Sequence, residues 1–496
     1  MISSFSPGES PIKLQGDLAG EHPIYLYWPK DRSRLVYSRS ITTLLDDSRV
    51  PKPLAFSNEG MSFMLQNGVA PPPRTSYEEI YILGIGDEAK IFSRGDMVEV
   101  EFTHDFPFSN RNRCLAGEMD PDEDKILEML ATATISRIDP RRPSFLFHSA
   151  GKDSNSIALA LAEAGWQKHV TLITHKSKGQ ADESEISAKF AKKLGFKHRI
   201  LQEVDQLQPL HHQSIDHYFA NAPFPCTDNV TLAYPLYAVQ IPELQEANLI
   251  DGGGNDSYMA TPPTERELKT NELAKLTSRL PVLRNYIKSE SMLNSLLKTP
   301  AEWWGMTGFS LADANRIYPG NVPVYSYWQN ESKIRKDWDV YDFKTDVLTT
   351  RTAAEVHIRK VRNFSDTIGS KLILPFCDEK IADYFAKLPE PYLFDRKTLK
   401  NKLILRKIIN EKMGLDSDKV GKKGFSYDSR SVVLQNWEVI IREIYDCSLW
   451  SRAGVERVIT RLKHTVEASS RYSPLAAELI YRIYLISKHS SKNKYC

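Results

Sequence analysis

Ser149-Ala150-Gly151-Lys152-Asp153-Ser154 is the stretch on which the fold turns. The apolar run Phe145-Leu146-Phe147 leads into it, and the helix-forming run Ile157-Ala158-Leu159-Ala160-Leu161-Ala162 leads away. A strand that breaks at small residues and continues as a helix leaves backbone N–H groups unpaired at the helix N-terminus. Those groups and the helix dipole attract a phosphate chain. Ser149 and Ser154 add hydroxyls, and the Asp153 carboxylate is of the kind that holds Mg²⁺ on phosphates. The Walker spacing G-x-x-x-x-G-K-[ST] is absent, which sets aside the usual kinase and GTPase loop. Six such residues also make ordinary capping chemistry, so the rest of the chain has to decide.

On either side of this turn the pattern alternates. Ile126 to Ile138 reads as a helix, Phe145 to Phe147 as a strand and Ser156 to Ala164 as a helix. Val170 to Thr174 reads as a strand, Glu183 to Leu194 as a helix and His198 to Leu201 as a strand. Alternation of this length predicts a parallel sheet with right-handed crossovers. A nucleotide is then expected at the carboxyl ends of the strands. Residues 1 to about 103 differ: Ile24-Tyr25-Leu26-Tyr27, Leu35-Val36-Tyr37 and Asp96 to Phe102 are short β-prone runs between Pro, Gly and Asp. His104 to Asp124, rich in Asn, Pro, Asp and Arg, reads as a linker. Beyond Phe219 the chain reads as mostly helical with breaks at prolines, and no repeat or low-complexity tract is visible.

Composition narrows the class. A chain of 496 residues has room for two or three domains with ample cores. With 65 basic and 63 acidic residues the formal charge is +2, so no global field argues for nucleic acid. The five cysteines (Cys114, Cys226, Cys377, Cys447 and Cys496) are scattered and form no C-x-x-C pair. That argues against a disulfide framework or a zinc site and suits a reducing cytoplasm. No run approaches the ~18 apolar residues of a membrane span, and Met1-Ile2-Ser3-Ser4-Phe5 lacks the features of a secretory signal.

The loop at Ser149 resembles the S-G-G-x-D-S pyrophosphate loop of the ATP pyrophosphatases, with Ala150 in place of the first Gly and Lys152 where a hydrophobic residue is common. Three further segments, in matching order, are similar to asparagine synthetases. Asp182-Glu183, Ala188, Ala191, Leu194-Gly195 and His198 look like the helix after the strand that carries the adenine contacts; the residues also make a plain amphipathic helix with a Gly C-cap. Leu249-Ile250-Asp251-Gly252-Gly253-Gly254-Asn255-Asp256-Ser257-Tyr258 is similar to the motif S-G-E-G-A-D-E. By that resemblance Asp256 joins Asp153 at a Mg²⁺–pyrophosphate site; a glycine-rich turn with a capping Asp is the plainer alternative. Leu372 to Asp378, Lys402-Leu403-Ile404-Leu405-Arg406 and Lys422-Lys423-Gly424-Phe425 resemble the P-F-L-D, K-x-x-L-R and R-x-K-x-x-F stretches. The resemblance makes Lys422 the cation that neutralises the reacting phosphate, although most Lys-Lys pairs are solvated loops.

These resemblances imply an α/β chain in two parts. Residues 1–110 are expected to be a β-rich, degenerate remnant of an Ntn-type glutaminase domain. Residues 120–496 are expected to be a parallel-sheet, HUP-like synthetase domain with a helical C-terminal part. The glutaminase nucleophile of the family is a cysteine at the mature N-terminus; here Ile2 follows Met1 and the first cysteine is Cys114. β-Lactam synthetases and lasso-peptide cyclases, which share such a dead domain, take the amine from their substrate. The implied activity is therefore an ATP-dependent ligase without glutaminase activity, forming an acyl-adenylate, AMP and pyrophosphate on the way to an amide.

The implied ATP site comprises Ser149, Ala150, Gly151, Lys152, Asp153, Ser154, Gly252 and Gly253, with Mg²⁺ on Asp153 and Asp256 and with Asp153, Asp256 and Lys422 in the chemistry. Lys152 is either a further phosphate contact or an exposed lysine. Three departures, Gly253 for Glu, Ser257 for the final Glu and Val420 for Arg, fall on the second-substrate side. Gly253 carries no proton acceptor, so a general base has to come from elsewhere or the amine has to arrive neutral. The expected partners are small-molecule or peptide carboxylates and amines, with no nucleic acid and no membrane. A cytoplasmic location and a role in specialised-metabolite biosynthesis follow from the family's range, and homodimer formation is left open. Alternatives of different kinds are an intramolecular lactam or lasso-peptide cyclase, a tRNA-modifying ATP pyrophosphatase and a non-catalytic scaffold.

Overall fold

The computed structural model describes residues 2–178, 182–277, 280–416 and 427–496. Branched and aromatic residues between turn formers give the first hundred residues seven strands. These are β1 (Ile2–Phe5), β2 (Ile12–Gln15), β3 (Ile24–Tyr27), β4 (Leu35–Ser38), β5 (Ile80–Leu83), β6 (Asp87–Arg94) and β7 (Met97–His104). They form two antiparallel sheets, ordered β1-β4-β3-β5 and β2-β6-β7. Gly95, at φ +61°, turns β6 into β7 in a two-residue hairpin that pairs Arg94 with Met97. Phe5, Leu26 and Leu35 from the first sheet meet Ala89, Ile91 and Val98 from the second. The other face of the first sheet (Tyr25, Val36, Ile82) packs on Phe224 and Tyr495, residues from far along the chain.

Between the end of β7 at His104 and the helix that begins at Glu123, the segment read as a linker consists of irregular chain and turns, with one short 3₁₀ turn at Asn110–Asn112. It is nonetheless docked. Phe106 and Phe108 are buried in the core of the following part, and Asp342 accepts hydrogen bonds from Ser109 Oγ at 2.7 Å and Asn110 Nδ2 at 2.6 Å.

The alternating region folds into a parallel sheet, as the pattern predicts, and two further strands from the part read as mostly helical complete it. Its strands are β8 (Ser144–Phe147), β9 (Val170–Lys176), β10 (Lys197–Gln202), β11 (Asn248–Ile250) and β12 (Lys371–Ile373), ordered β10-β9-β8-β11-β12 and parallel throughout. Both faces are covered, so successive residues serve different cores. Phe145 and Leu249 face one, Leu146 and Ile250 the other. The first core is closed by the twenty-residue helix Ser473–Lys492 and by Met61, Met64 and Leu65 of the N-terminal helix Asn58–Asn67.

Boundaries moved where caps decide them. The helix read from Ile126 begins at Glu123, because Asp122 accepts from Lys125 N. The helix read from Ser156 begins at Lys152, directly after Gly151 at its N-cap, which brings Lys152, Asp153 and Ser154 into the first turn. The helical remainder contains an unusual stretch, Val347–Ile358, with the wide i→i+5 turns of a π-helix. Among the described residues no helix is long and apolar enough to cross a membrane.

Candidate active site

β8 has β9 on one side and β11 on the other, so chain direction away from β8 reverses at this point of the sheet. Such a switch point opens a crevice at the carboxyl ends of the two central strands. The loops that leave β8 and β11 are the two glycine-containing loops singled out above. Between them, the π-helical stretch and the ends of β9 and β10 lies a cavity of about 450 Å³. That is the size of a small-molecule site.

The first loop is held open by its own side chains. Ser149 Oγ accepts from Gly151 N at 3.0 Å, and Ser154 Oγ accepts from Ser149 N at 3.1 Å. Asn155 Nδ2 donates to the carbonyls of Ser149 and Gly151, at 3.0 and 2.8 Å. The buried Glu183 accepts from Ala150 N at 3.0 Å, which ties the helix Ser184–Leu194 to the loop. No side chain caps the helix that starts at Lys152, and the N-terminal end of a helix attracts negative charge. Ser149, Gly151, Asp153 and Ser154 line the cavity. Ala150 and Lys152 are buried beside it; Lys152 is only 7 % exposed, so it is not a surface lysine.

The second loop presses on the first. A Cβ at Gly252 would lie 3.2 Å from Ser154 N, and one at Gly254, whose φ is +106°, would run into Cys377 Sγ. Asp251 Oδ1 accepts from Gly253 N at 2.8 Å and shapes the turn. Gly252, Gly253, Asn255, Asp256 and Ser257 all reach the cavity wall.

Asp153 and Asp256 are brought together by a residue to which sequence reasoning gave no role. Lys402 Nζ sits 3.0 Å from both oxygens of Asp153, 2.8 Å from Asp256 Oδ1 and 2.6 Å from Asn255 Oδ1. Asn255 Nδ2 closes the ring by donating to Asp153 Oδ1 at 2.7 Å. Burial works against the ammonium, but Asp153 and Asp256 outweigh it and raise the Lys402 pKa, so the cation persists. The K-x-x-L-R stretch pointed at this lysine; its purpose is visible only once the loops converge.

The side chain of Asp256 remains 55 % exposed and faces the cavity. Among the described residues no cluster of three or more His, Cys, Asp or Glu forms a ready-made metal cage. Two carboxylates beside a phosphate cradle nevertheless fit Mg²⁺, which takes one or two carboxylates and completes its shell with phosphate oxygens and water. Lys422, the other cation expected here, lies outside the described residues, as does Val420.

Two more walls were not read from the sequence. Phe147, Ile173 and Leu201, from β8, β9 and β10, and Tyr234, from the helix Ala233–Gln240, line the cavity with apolar surface suited to a planar ring. Opposite, Asp228 accepts from His357 Nδ1 at 3.0 Å and from Lys360 Nζ at 3.2 Å. These residues are far apart in sequence and form no local pattern, so no motif announced them.

A family model for asparagine synthase matches residues 125–472, which include both loops, Lys402 and the Asp228–His357–Lys360 wall. A comparison with curated proteins gives no match.

Proposed function

The chain belongs to the asparagine synthase family of ATP-dependent amide-forming ligases, and from that premise we propose that it activates a carboxylate as an acyl-adenylate and passes the acyl group to an amine. The observation that carries this reading is the convergence of the β8 and β11 loops on one cavity, with Asp153 and Asp256 joined through Lys402.

In this reading the triphosphate lies along Ser149 to Ser154, where the uncapped helix N-terminus and the loop hydroxyls meet negative charge. The base lies on the apolar wall at Phe147 and Ile173. Mg²⁺, when bound, would be held by Asp153 and Asp256 and would neutralise phosphate charge. Lys402 keeps the two carboxylates at a fixed separation and adds a cation close to the departing pyrophosphate. Lys422 is assigned the same electrostatic task from the resemblance alone. The substrate carboxylate attacks the α-phosphorus and pyrophosphate leaves. The amine then attacks the activated carbonyl inside the same enclosure, which supplies proximity and shields the adenylate from water.

None of the strands of the N-terminal sheets carries a cysteine, and we assign the amine to a substrate rather than to glutamine. A small-molecule or peptide acid and an amine of specialised metabolism remain the proposed substrates.

The test follows ATP in the presence of Mg²⁺ and a panel of amino acids and dicarboxylic acids, for the wild type and Asp153→Asn. Acid-dependent AMP and pyrophosphate, and pyrophosphate–ATP exchange, are expected from the wild type and lost in the variant. ADP as the product, or equal AMP formation by both proteins, would overturn the assignment.

A further inference from the structure

The second half of the proposed reaction needs a group that takes a proton from the attacking amine, and Gly253 offers none. Among the described residues three histidines line the cavity: His148, His175 and His357. His148 is fully buried, burial pushes its imidazole down to about 4, and its Nε2 is engaged by Asn155 Oδ1 at 3.1 Å. His175 has both ring nitrogens committed, Nδ1 to the Tyr237 hydroxyl at 2.9 Å and Nε2 to Glu203 at 3.2 Å.

His357 differs from both. Its Nδ1 is bound to Asp228, its side chain is 59 % exposed, and Nε2 has no partner among the described residues. Asp228 is itself buried. Burial alone would raise its pKa, but the Lys360 ammonium and the His357 contact hold it well below the usual carboxylate range. An ionised carboxylate can only accept, so Nδ1 carries a proton, and in the neutral ring the lone pair is on Nε2. Thr349, Ala353 and Ala354, small side chains of the same stretch, line the cavity with it.

We propose that His357 Nε2 is the general base for the acceptor amine, with Asp228 orienting the imidazole and Lys360 keeping Asp228 ionised. The assignment rests on the adenylation reading above. Nε2 takes a proton from the ammonium form of the acceptor, which frees the nitrogen lone pair to form the C–N bond; the second proton that the nitrogen sheds on becoming an amide passes to water. The acyl C–O bond to the phosphate breaks, its electron pair leaves with AMP, and the imidazolium returns the proton to water. Asp228 and Lys360 act through His357 and are positioning residues.

The test separates the two half-reactions, using the acids of the panel that support pyrophosphate–ATP exchange. Two nucleophiles are compared: methylamine, which is protonated at neutral pH, and hydroxylamine, which is largely not. His357→Gln is expected to keep exchange at the wild-type rate while methylamide formation falls roughly 100- to 10,000-fold. Hydroxamate formation is expected to fall less than about tenfold, because that nucleophile needs little help with its proton. An equal fall for both nucleophiles, loss of exchange, or unchanged methylamide formation would each overturn the base. No exchange by the wild type with any acid would instead remove the adenylation reading, and the base with it. A second measurement needs no turnover: ¹⁵N spectra of the histidine-labelled protein, with His357→Gln as the assignment control, are expected to show the Nδ1–H tautomer. Asp228→Asn is expected to disturb that tautomer, and an Nε2–H tautomer in the wild type would overturn the proposal.

Discussion

Lys402 holds its main chain at φ +56°, a left-handed conformation that costs a non-glycine residue of order 1–3 kcal/mol unless its surroundings demand it. The demand comes from three acceptors, Asp153, Asp256 and Asn255, which close around one ammonium. Lys402→Met keeps the volume and removes the charge, leaving Asp153 and Asp256 facing each other. Removing one partner of a buried ion pair is costly, and because Asp256 is half exposed a loss of about 3 kcal/mol is expected in urea unfolding. Added Mg²⁺ is expected to raise the Tm of this variant more than that of the wild type, since it relieves the same repulsion. An identical Mg²⁺ response in the two proteins would show that the carboxylates do not depend on this cation. At this scale the sequence discloses what is local. Asp153 and Asp256 stand in short glycine-containing loops whose spacing marks them. Lys402 could be noticed as part of a stretch but not given a task, because its task exists only where two loops distant in sequence meet. Asp228 and His357 carry no local signal at all: one ends an irregular loop and the other lies in a helix.

The wide-turned stretch Val347–Ile358 links the site to the N-terminal sheets, because its two sides face different partners. Thr349, Ala353 and His357 line the cavity. From the other side the buried Arg351 donates to the carbonyl of Pro72 at 2.7 Å and pairs with Asp87 of β6. His104, at the end of β7, bridges the same seam, with Nδ1 2.9 Å from Asp87 and Nε2 2.9 Å from Asp346, which in turn binds Arg335 at 2.6 Å. Burial and the Arg351 charge push the His104 pKa down, but the hydrogen bonds to Asp346 and Asp87 prevail and raise it above 6.5. A folded pKa raised above the unfolded one means that protonation stabilises the fold. That contribution is complete below the unfolded value of about 6.5 and is lost as the pH climbs through the folded value. His104→Gln is therefore expected to cost most stability at about pH 5.5 and least at about pH 9, read from urea midpoints across that range. A cost that grows with pH would contradict the protonated bridge. Of the elements, β8, β9, β10 and their crossover helices were legible, since apolar runs of strand length alternate there with helical periodicity; β11 and β12, three residues each, lie in the part whose pattern reads as mostly helical. The wide turns were not, because sequence periodicity distinguishes a helix from a strand more readily than one helical pitch from another.

Across the division at residues 1–110 and 120–496 that the resemblance implies, the whole molecule shares its cores. Met61, Met64 and Leu65 share a core with the C-terminal helix Ser473–Lys492. Tyr495 accepts from Leu54 N at 2.7 Å through its carbonyl, and the Tyr77 hydroxyl meets His489 Nε2 at 2.9 Å. Leu65 accepts from Phe309 N at 2.8 Å, and Ile85 reaches the wall of the cavity. Cysteine chemistry is missing from these N-terminal sheets, yet they cover apolar surface on the remainder that would otherwise meet water. We therefore propose that the chain folds as one cooperative unit and that the N-terminal part is kept as a brace for the ligase site. Urea unfolding of the full chain is expected to give coincident transitions by tryptophan fluorescence and far-UV circular dichroism. A chain beginning at Arg111 is expected to be insoluble, or to lack a cooperative transition and nucleotide binding. Removing the strands uncovers Phe224 and Tyr495, which pack against them, and strips Arg351 of Asp87, leaving a buried guanidinium short of its carboxylate. Two separated transitions in the full chain, or a truncated protein that unfolds cooperatively and still binds ATP, would show that the brace is dispensable and that the site is built by residues 120–496 alone.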